Sequence, residues 1–226
     1  MKRHTSSKNK ENTETVNNNP LFVPFIYDDD YKKPECFSRS LEDSGIFFLN
    51  GEINTYSIDK AIRFILEANI NLDSQWDYIT FLINSPGGYV TDGFALIDVM
   101  LGSYIPIKTV GIGLIASMGL QIFLAGEKGT RTMTPNSMIL SHQYAGGTYG
   151  KEHELVAAQT EQSNLTEIVM RHYKRTTGLT DAKIRDILLP PHDVWLTAKD
   201  AKKYGICDVI KDLKPKPMKK VKKNAR

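Results

Sequence analysis

The stretch Thr109-Val-Gly-Ile-Gly-Leu-Ile-Ala-Ser117-Met-Gly-Leu-Gln-Ile-Phe-Leu-Ala125 contains no charged residue. It is about three residues short of a typical membrane-spanning helix. Gly111, Gly113, Ser117, Gly119 and Gln121 interrupt it, and Lys108 and Glu127 bracket it. Such a stretch predicts a buried β-strand running straight into a buried helix, with Ser117 at the joint. The first N–H groups of that helix have no intrahelical partner, so a developing negative charge is favoured beside Ser117.

Upstream, apolar β-rich runs alternate with helical patterns: Gly45 to Leu49, Ser57 to Ile70, Tyr78 to Ile83, Thr91 to Gly102, then Lys108 to Gly113. This βαβαβ rhythm predicts an α/β fold of parallel strands covered by helices. Ser57 is the expected N-cap of the first helix, with Asp59 in its first turn, and Ala61, Ile62, Ile65, Leu66 and Ile70 form its apolar stripe. The second helix is expected to bury Phe94, Ile97 and Leu101. After Met133 to Leu140 and the glycine-rich Gly146 to Gly150, a polar pattern from about Lys151 to Thr176 predicts a long helix with apolar positions at Leu155, Val156, Leu165, Ile168, Val169 and Tyr173. That helix is too polar to be central. An amphipathic surface helix and a protruding helix that meets its apolar partner in another subunit both fit the pattern.

With 226 residues and 41% hydrophobic content, the chain can bury one good core, and no shift in composition separates two domains. The net charge of +3 conceals a split. Lys211 to Arg226 contributes +7 and Met1 to Pro20 contributes +2, which leaves about −6 between them. The basic end has no interleaved aromatics, so it reads as a solvated tail and no nucleic-acid partner is expected. The first twenty residues lack the apolar core of a secretory signal and are poor in Arg for a transit peptide. Cys36 and Cys207 lack metal-ligand spacing and fit reduced thiols in a cytoplasm-like compartment. No metal, cofactor or membrane association is expected.

Four segments carry chemistry: Ile83-Asn-Ser-Pro-Gly87-Gly88, Ala116-Ser117-Met-Gly119, Ile139-Leu-Ser-His142-Gln143 and Asp193-Val-Trp-Leu-Thr-Ala198. Together they supply a nucleophile, a base, an acid to orient the base, and glycine N–H groups, the set that acyl transfer requires. A serine hydroxyl needs a base at neutral pH, and imidazole has the suitable pKa. Of the five histidines, His142 follows an apolar run, as at a strand end facing a cleft. His4 lies in the tail, His153 and His172 lie on the polar helix, and His192 neighbours Asp193. Singly these signals are ordinary: Pro-Gly-Gly is a common turn, and a lone histidine is usually a core or surface residue. The residues alone leave the acid open among Asp193, Asp186 and Asp181. The chain order Ser, His, Asp differs from that of α/β-hydrolases, chymotrypsin-like enzymes and subtilisins, and Ile115 breaks the G-x-S-x-G elbow.

From about Leu21 to Ile210 the chain resembles the proteolytic-subunit (ClpP) family of the Clp protease. Gly126-Glu-Lys-Gly-Thr-Arg131 and Pro135-Asn-Ser137 add to the four segments in the family's order. The resemblance implies a crotonase-like ClpP fold of repeated ββα/βαβ units with a protruding handle over about 146–177. It implies a peptidase domain over 21–210, between disordered tails at 1–20 and 211–226. It also implies a serine endopeptidase with Ser117 as nucleophile, His142 as base, Asp193 as its orienting acid, and the N–H groups of Gly88 and Met118 as the oxyanion hole. Two stacked heptameric rings would enclose these sites and degrade unfolded polypeptides for protein quality control, in the cytoplasm or an equivalent reducing compartment such as plastid stroma. The sequence has no G-x-x-x-x-G-K-[ST] loop, so ATP-driven unfolding is expected from an AAA+ partner. Leu21 to Phe25 resembles the family's axial loop segment. The match departs at Thr80, Leu82 and Gly102, where the family's unfoldase-docking pocket has aromatic residues, and at His192, where an Arg is usual. It departs again at Tyr144, where a proline is usual, and in a Leu188 to His192 approach that is two residues longer. The rival readings are a non-catalytic or modifying subunit of mixed rings and a crotonase-like enzyme acting on acyl-CoA thioesters.

Overall fold

The computed structural model describes residues 40–70 and 76–213. The predicted N-terminal tail, the Leu21 to Phe25 segment, Cys36 and the C-terminal tail beyond residue 213 lie outside the described residues. A 3₁₀ turn at Glu42–Ser44 leads into β1 (Ile46–Ile53), α1 (Thr55–Ile70), β2 (Ile79–Gly88), α2 (Val90–Leu101) and β3 (Ile107–Ala116). Then come α3 (Met118–Leu124), β4 (Thr132–Met133), β5 (Met138–Ser141), α4 (Glu152–Thr177), α5 (Asp181–Ile187), β6 (Val194–Thr197), α6 (Ala198–Lys203) and β7 (Val209–Ile210). The uncharged stretch thus forms β3 and α3, as its pattern predicts. Among the described residues no helix is long and apolar enough to cross a membrane.

The strands form one sheet in the order β1-β2-β3-β4-β7, parallel throughout this path. β3 changes partner along its length. Val110 and Gly111 pair with Thr132 and Met133 of β4, whereas Leu114 to Ala116 pair with Met138 to Leu140 of β5. β6 then runs antiparallel to β5, with Met138 opposite Thr197 and Ser141 opposite Val194. A bulge permits the switch, because Ile83↔Gly111 is followed by Ser85↔Ile115. Asn84 fills it: its Oδ1 accepts the Leu114 N–H (3.0 Å) and its amide donates to Asn50 Oδ1 (2.8 Å). Gly113 has φ 56°, and a Cβ there would lie 2.7 Å from Asn84 Oδ1, so the bulge requires glycine. Pro86, Gly87 and Gly88 belong to the end of β2 and do not form the turn that Pro-Gly-Gly predicts.

α1 packs on β1 and α2, and α2 packs on α3, so the helices share one face of the sheet. Phe47 and Leu49 of β1 point into that layer, while Phe48 faces outward and is 40% exposed. The true N-cap of α1 is Asn54 and not Ser57. Asn54 Oδ1 accepts the N–H groups of Tyr56 and Ser57 (3.1 and 3.0 Å), and Ser57 Oγ accepts the Asn54 N–H in return (3.0 Å). Asp59 therefore falls outside the first turn. The inward stripe is Ile58, Ala61, Phe64, Ile65 and Ala68, leaving Leu66 and Ile70 exposed. On α2, Leu96, Ile97 and Met100 are buried, and Leu101 is exposed.

The Gly126 to Arg131 segment ends on a buried ion pair. Arg131 is 1% exposed, and its guanidinium meets Asp208 through Nε (2.8 Å) and Nη2 (2.6 Å). Its remaining N–H groups reach the carbonyls of Thr176, at the end of α4, and Gly205 (both 3.0 Å). Burial pushes the Asp208 carboxyl up, but the Arg131 guanidinium and the N–H groups of Arg131 and Gly129 outweigh it and hold the pKa below its ordinary value. Removing one partner of such a pair strands a buried charge. Asp208→Ala is expected to cost about 3–5 kcal/mol in urea unfolding; a loss below about 1 kcal/mol would show that the pair does not anchor α4 to the sheet.

Candidate active site

Ser117 sits between the end of β3 and the start of α3 with φ 51° and ψ −120°, and it is the one non-glycine residue at positive φ among the described residues. Its N–H donates to the Leu140 carbonyl of β5 (2.9 Å), and its carbonyl accepts from Leu120 and Gln121 as α3 begins (3.0 and 3.3 Å). The glycines of β2 lie alongside. A Cβ on Gly87 (φ 95°) would fall 2.6 Å from Ser117 Cβ and 3.1 Å from Met118 N, so this approach requires glycine. Gly88 pairs with Ile53 of β1, and the Ile53 carbonyl accepts from Tyr89 beyond it (2.9 Å). Gly88 itself departs from regular strand geometry: at φ 152° a Cβ there would fall 2.1 Å from the Ile53 carbonyl oxygen, so the close approach of β2 to β1 requires glycine as well.

His142 and Asp193 are brought together by strand register. The antiparallel β5–β6 ladder ends with Ser141 opposite Val194, so His142 and Asp193 are the residues that immediately leave and enter it at the same end. Both line a cavity of about 320 Å³ with Gln143, Ala145, Pro190, Pro191 and His192. The parallel register of β3 and β5, Ala116↔Leu140, sets Ser117 beside the end of β5 that leads to His142, although Ser117 is not among the residues lining that cavity. Asp181 and Asp186 lie on α5, away from this ladder, and Asp181 pairs with Lys174 (2.9 Å). The longer approach to Asp193 is tied to β5, since Ser141 Oγ donates to the Leu188 carbonyl (2.6 Å) and the Gln143 amide to that of Leu189 (2.9 Å). Beyond Asp193, the Leu-Thr-Ala motif closes β6 onto α6 through a reciprocal cap between Thr197 and Asp200.

The side chains are not yet engaged with one another. His142 Nδ1 donates to the Gln143 carbonyl (2.5 Å), and among the described residues no hydrogen bond joins His142 to Ser117 or Asp193. A proton on Nδ1 leaves Nε2 with its lone pair, the tautomer a base facing Ser117 needs. Thr80 is buried on β2, Leu82 is half-buried opposite Phe48, and Gly102 closes α2 at the surface.

Over residues 30–214 the chain matches the family model described as Clp protease. It is 34% identical over 161 residues to a protein of Pleurastrum terricola named ATP-dependent Clp protease proteolytic subunit, covering 71% of this chain and 80% of the relative. The chain belongs to the Clp protease family. Family membership accounts for the mixed α/β layers and the parallel-dominated sheet.

Sequence reading set His172 aside as a residue of a polar helix. The structure buries it beneath the site, edge-on to Phe94 (centroids 5.7 Å apart), with Nε2 donating to the Gln121 carbonyl (2.9 Å). Only its place beside Tyr173, at the apolar end of the α4 pattern, signals this. Burial drives its pKa down to about 4, with the nearby Arg175 adding to the shift and the Gln121 carbonyl opposing it. The folded state therefore takes up the proton less readily than the unfolded state. Its stabilisation is complete above pH 6.5 and is lost as pH falls from about 6.5 to about 4. Across that window wild type should lose about 3 kcal/mol more in urea unfolding than His172→Gln; equal losses would contradict a buried neutral imidazole.

Proposed function

We propose that this Clp protease family member is a serine endopeptidase in which Ser117 attacks, His142 carries the proton and Asp193 orients His142. The observation that carries the reading is the strand register, which gathers the ends of β3, β5 and β6, far apart in sequence, at one corner of the sheet, the first of them leading into a serine held in a strained conformation. In the reaction Ser117 Oγ attacks the scissile carbonyl carbon while its proton passes to His142 Nε2. The Gly88 and Met118 N–H groups receive the oxyanion, each worth about 10²–10³ in rate. His142 then protonates the leaving amine, and water releases the acyl group from Ser117 by the same steps in reverse. For this, His142 Nδ1–H turns from the Gln143 carbonyl to the Asp193 carboxylate, which lines the same cavity.

Assembly into two stacked heptameric rings, fed with unfolded polypeptide by an ATP-driven unfoldase in a reducing compartment, completes the proposal. The small side chains of Thr80, Leu82 and Gly102 offer such a partner fewer anchors than aromatic residues would. His192 lacks the guanidinium fork that an Arg would bring to contacts between rings. A second reading, a modifying subunit of mixed rings, is favoured by one observation: His142 is bonded to Gln143 and not to an exposed Asp193. Intact mass after treatment of the assembled protein with a fluorophosphonate separates the two. The proposal expects one adduct that disappears in Ser117→Ala; no adduct on a well-assembled wild type supports the modifying subunit.

A further inference from the structure

We infer that Tyr173 is a positioning residue for the catalytic corner: with His172, its neighbour on α4, it grips the two elements that carry Ser117 and His142 and holds them in register. The inference rests on the peptidase reading above. It follows from proton accounting in a buried polar chain. The Ser141 hydroxyl has one proton and donates it to the Leu188 carbonyl (2.6 Å). Its 2.9 Å contact with Tyr173 is therefore the phenol O–H donating to Ser141 Oγ. On the other side, the Gln121 backbone carbonyl accepts His172 Nε2–H (2.9 Å), which leaves His172 Nδ1 as acceptor for Arg175 (3.2 Å).

Both ends of the chain touch the site. Gln121 lies in α3 and its N–H reaches the Ser117 carbonyl (3.3 Å), while Ser141 immediately precedes His142. β5 is four residues long and ends at Ser141, so His142 stands beyond the ladder and takes its position from what holds Ser141. Packing alone does not explain the chain. Gln121 Oε1 is buried with no hydrogen-bond donor among the described residues, a cost that an apolar residue would avoid. Burial, against the bonds from Ser141 and Gln121, pushes the phenol up to about 12, so it remains a donor throughout the neutral range.

The test is steady-state hydrolysis of a fluorogenic peptide by the assembled full-length protein, with fluorophosphonate labelling in parallel. Tyr173→Phe keeps the ring and removes the hydroxyl. The inference expects kcat and the labelling rate to fall about ten-fold or more, in line with the sensitivity of catalysis to small misplacements, with KM and assembly unchanged and the thermal midpoint lowered by only about 2–4 °C. Ser141→Ala breaks the same bond from the other side, and the Leu188 bond with it, so it should lose at least as much, and the double variant no more than Ser141→Ala alone. Should Tyr173→Phe fail to assemble, an unchanged kcat in Ser141→Ala still overturns the inference. Unchanged kcat, or losses that multiply in the double variant, would overturn the inference. A labelled wild type with an unaffected Tyr173→Phe rejects only this inference, whereas an unlabelled wild type rejects the peptidase reading with it.

Discussion

The architecture depends on one strained junction. A non-glycine residue at φ 51° costs on the order of 1–3 kcal/mol and persists only where its surroundings fix it. At Ser117 the surroundings do so from three sides. β5 accepts its N–H through Leu140, β2 presents Gly87 with no Cβ to collide with it, and α3, whose seven residues are all buried, pulls the chain into the core directly afterwards. The bulge filled by Asn84 belongs to the same device. It lets β3 pair with β4 in its first half and β5 in its second, so the strand can reach the strand that carries His142.

Beneath the junction, α4 is held at several points. Arg131 and Asp208 fix its last turn to the sheet through the Thr176 carbonyl, and His172 and Tyr173 fix the preceding turn to α3 and β5. These contacts are polar and buried, so each is directional, and the loss of one partner leaves a group with no water to replace it. The exposed first half of α4, with Leu155 and Val156 at 44% and 62% exposure, joins the core through this polar seam.

Much of the fold was legible because its signals are local. The uncharged run to Ala125 specified β3 and α3, and the alternation of runs specified the parallel crossovers. The cap of α1 was misread because Ser57 is a good cap residue in isolation, and only the reciprocal bonds show Asn54 taking that role. Gly87 and Gly88 read as a turn because glycine permissiveness looks the same wherever backbone must approach closely, whether the chain reverses or runs on. Asp193 stood apart from Asp181 and Asp186 only through its flanking motif; the physical reason, its place with His142 at the end of the β5–β6 ladder, lies in a strand pairing across about fifty residues that no periodicity reports. His172 was missed for a related reason. Its burial is imposed by α2 and α3, and a histidine in a polar helix carries no mark of the elements that will cover it.

The most direct measurement is a structure of the assembled protein with Ser117 phosphonylated. The account predicts a phosphonyl oxygen about 2.7–3.1 Å from the N–H groups of both Gly88 and Met118, and a His142 whose Nδ1 has left the Gln143 carbonyl for Asp193. An adduct whose oxygen avoids those N–H groups, or a His142 still bonded to Gln143 with Asp193 in solvent, would contradict it.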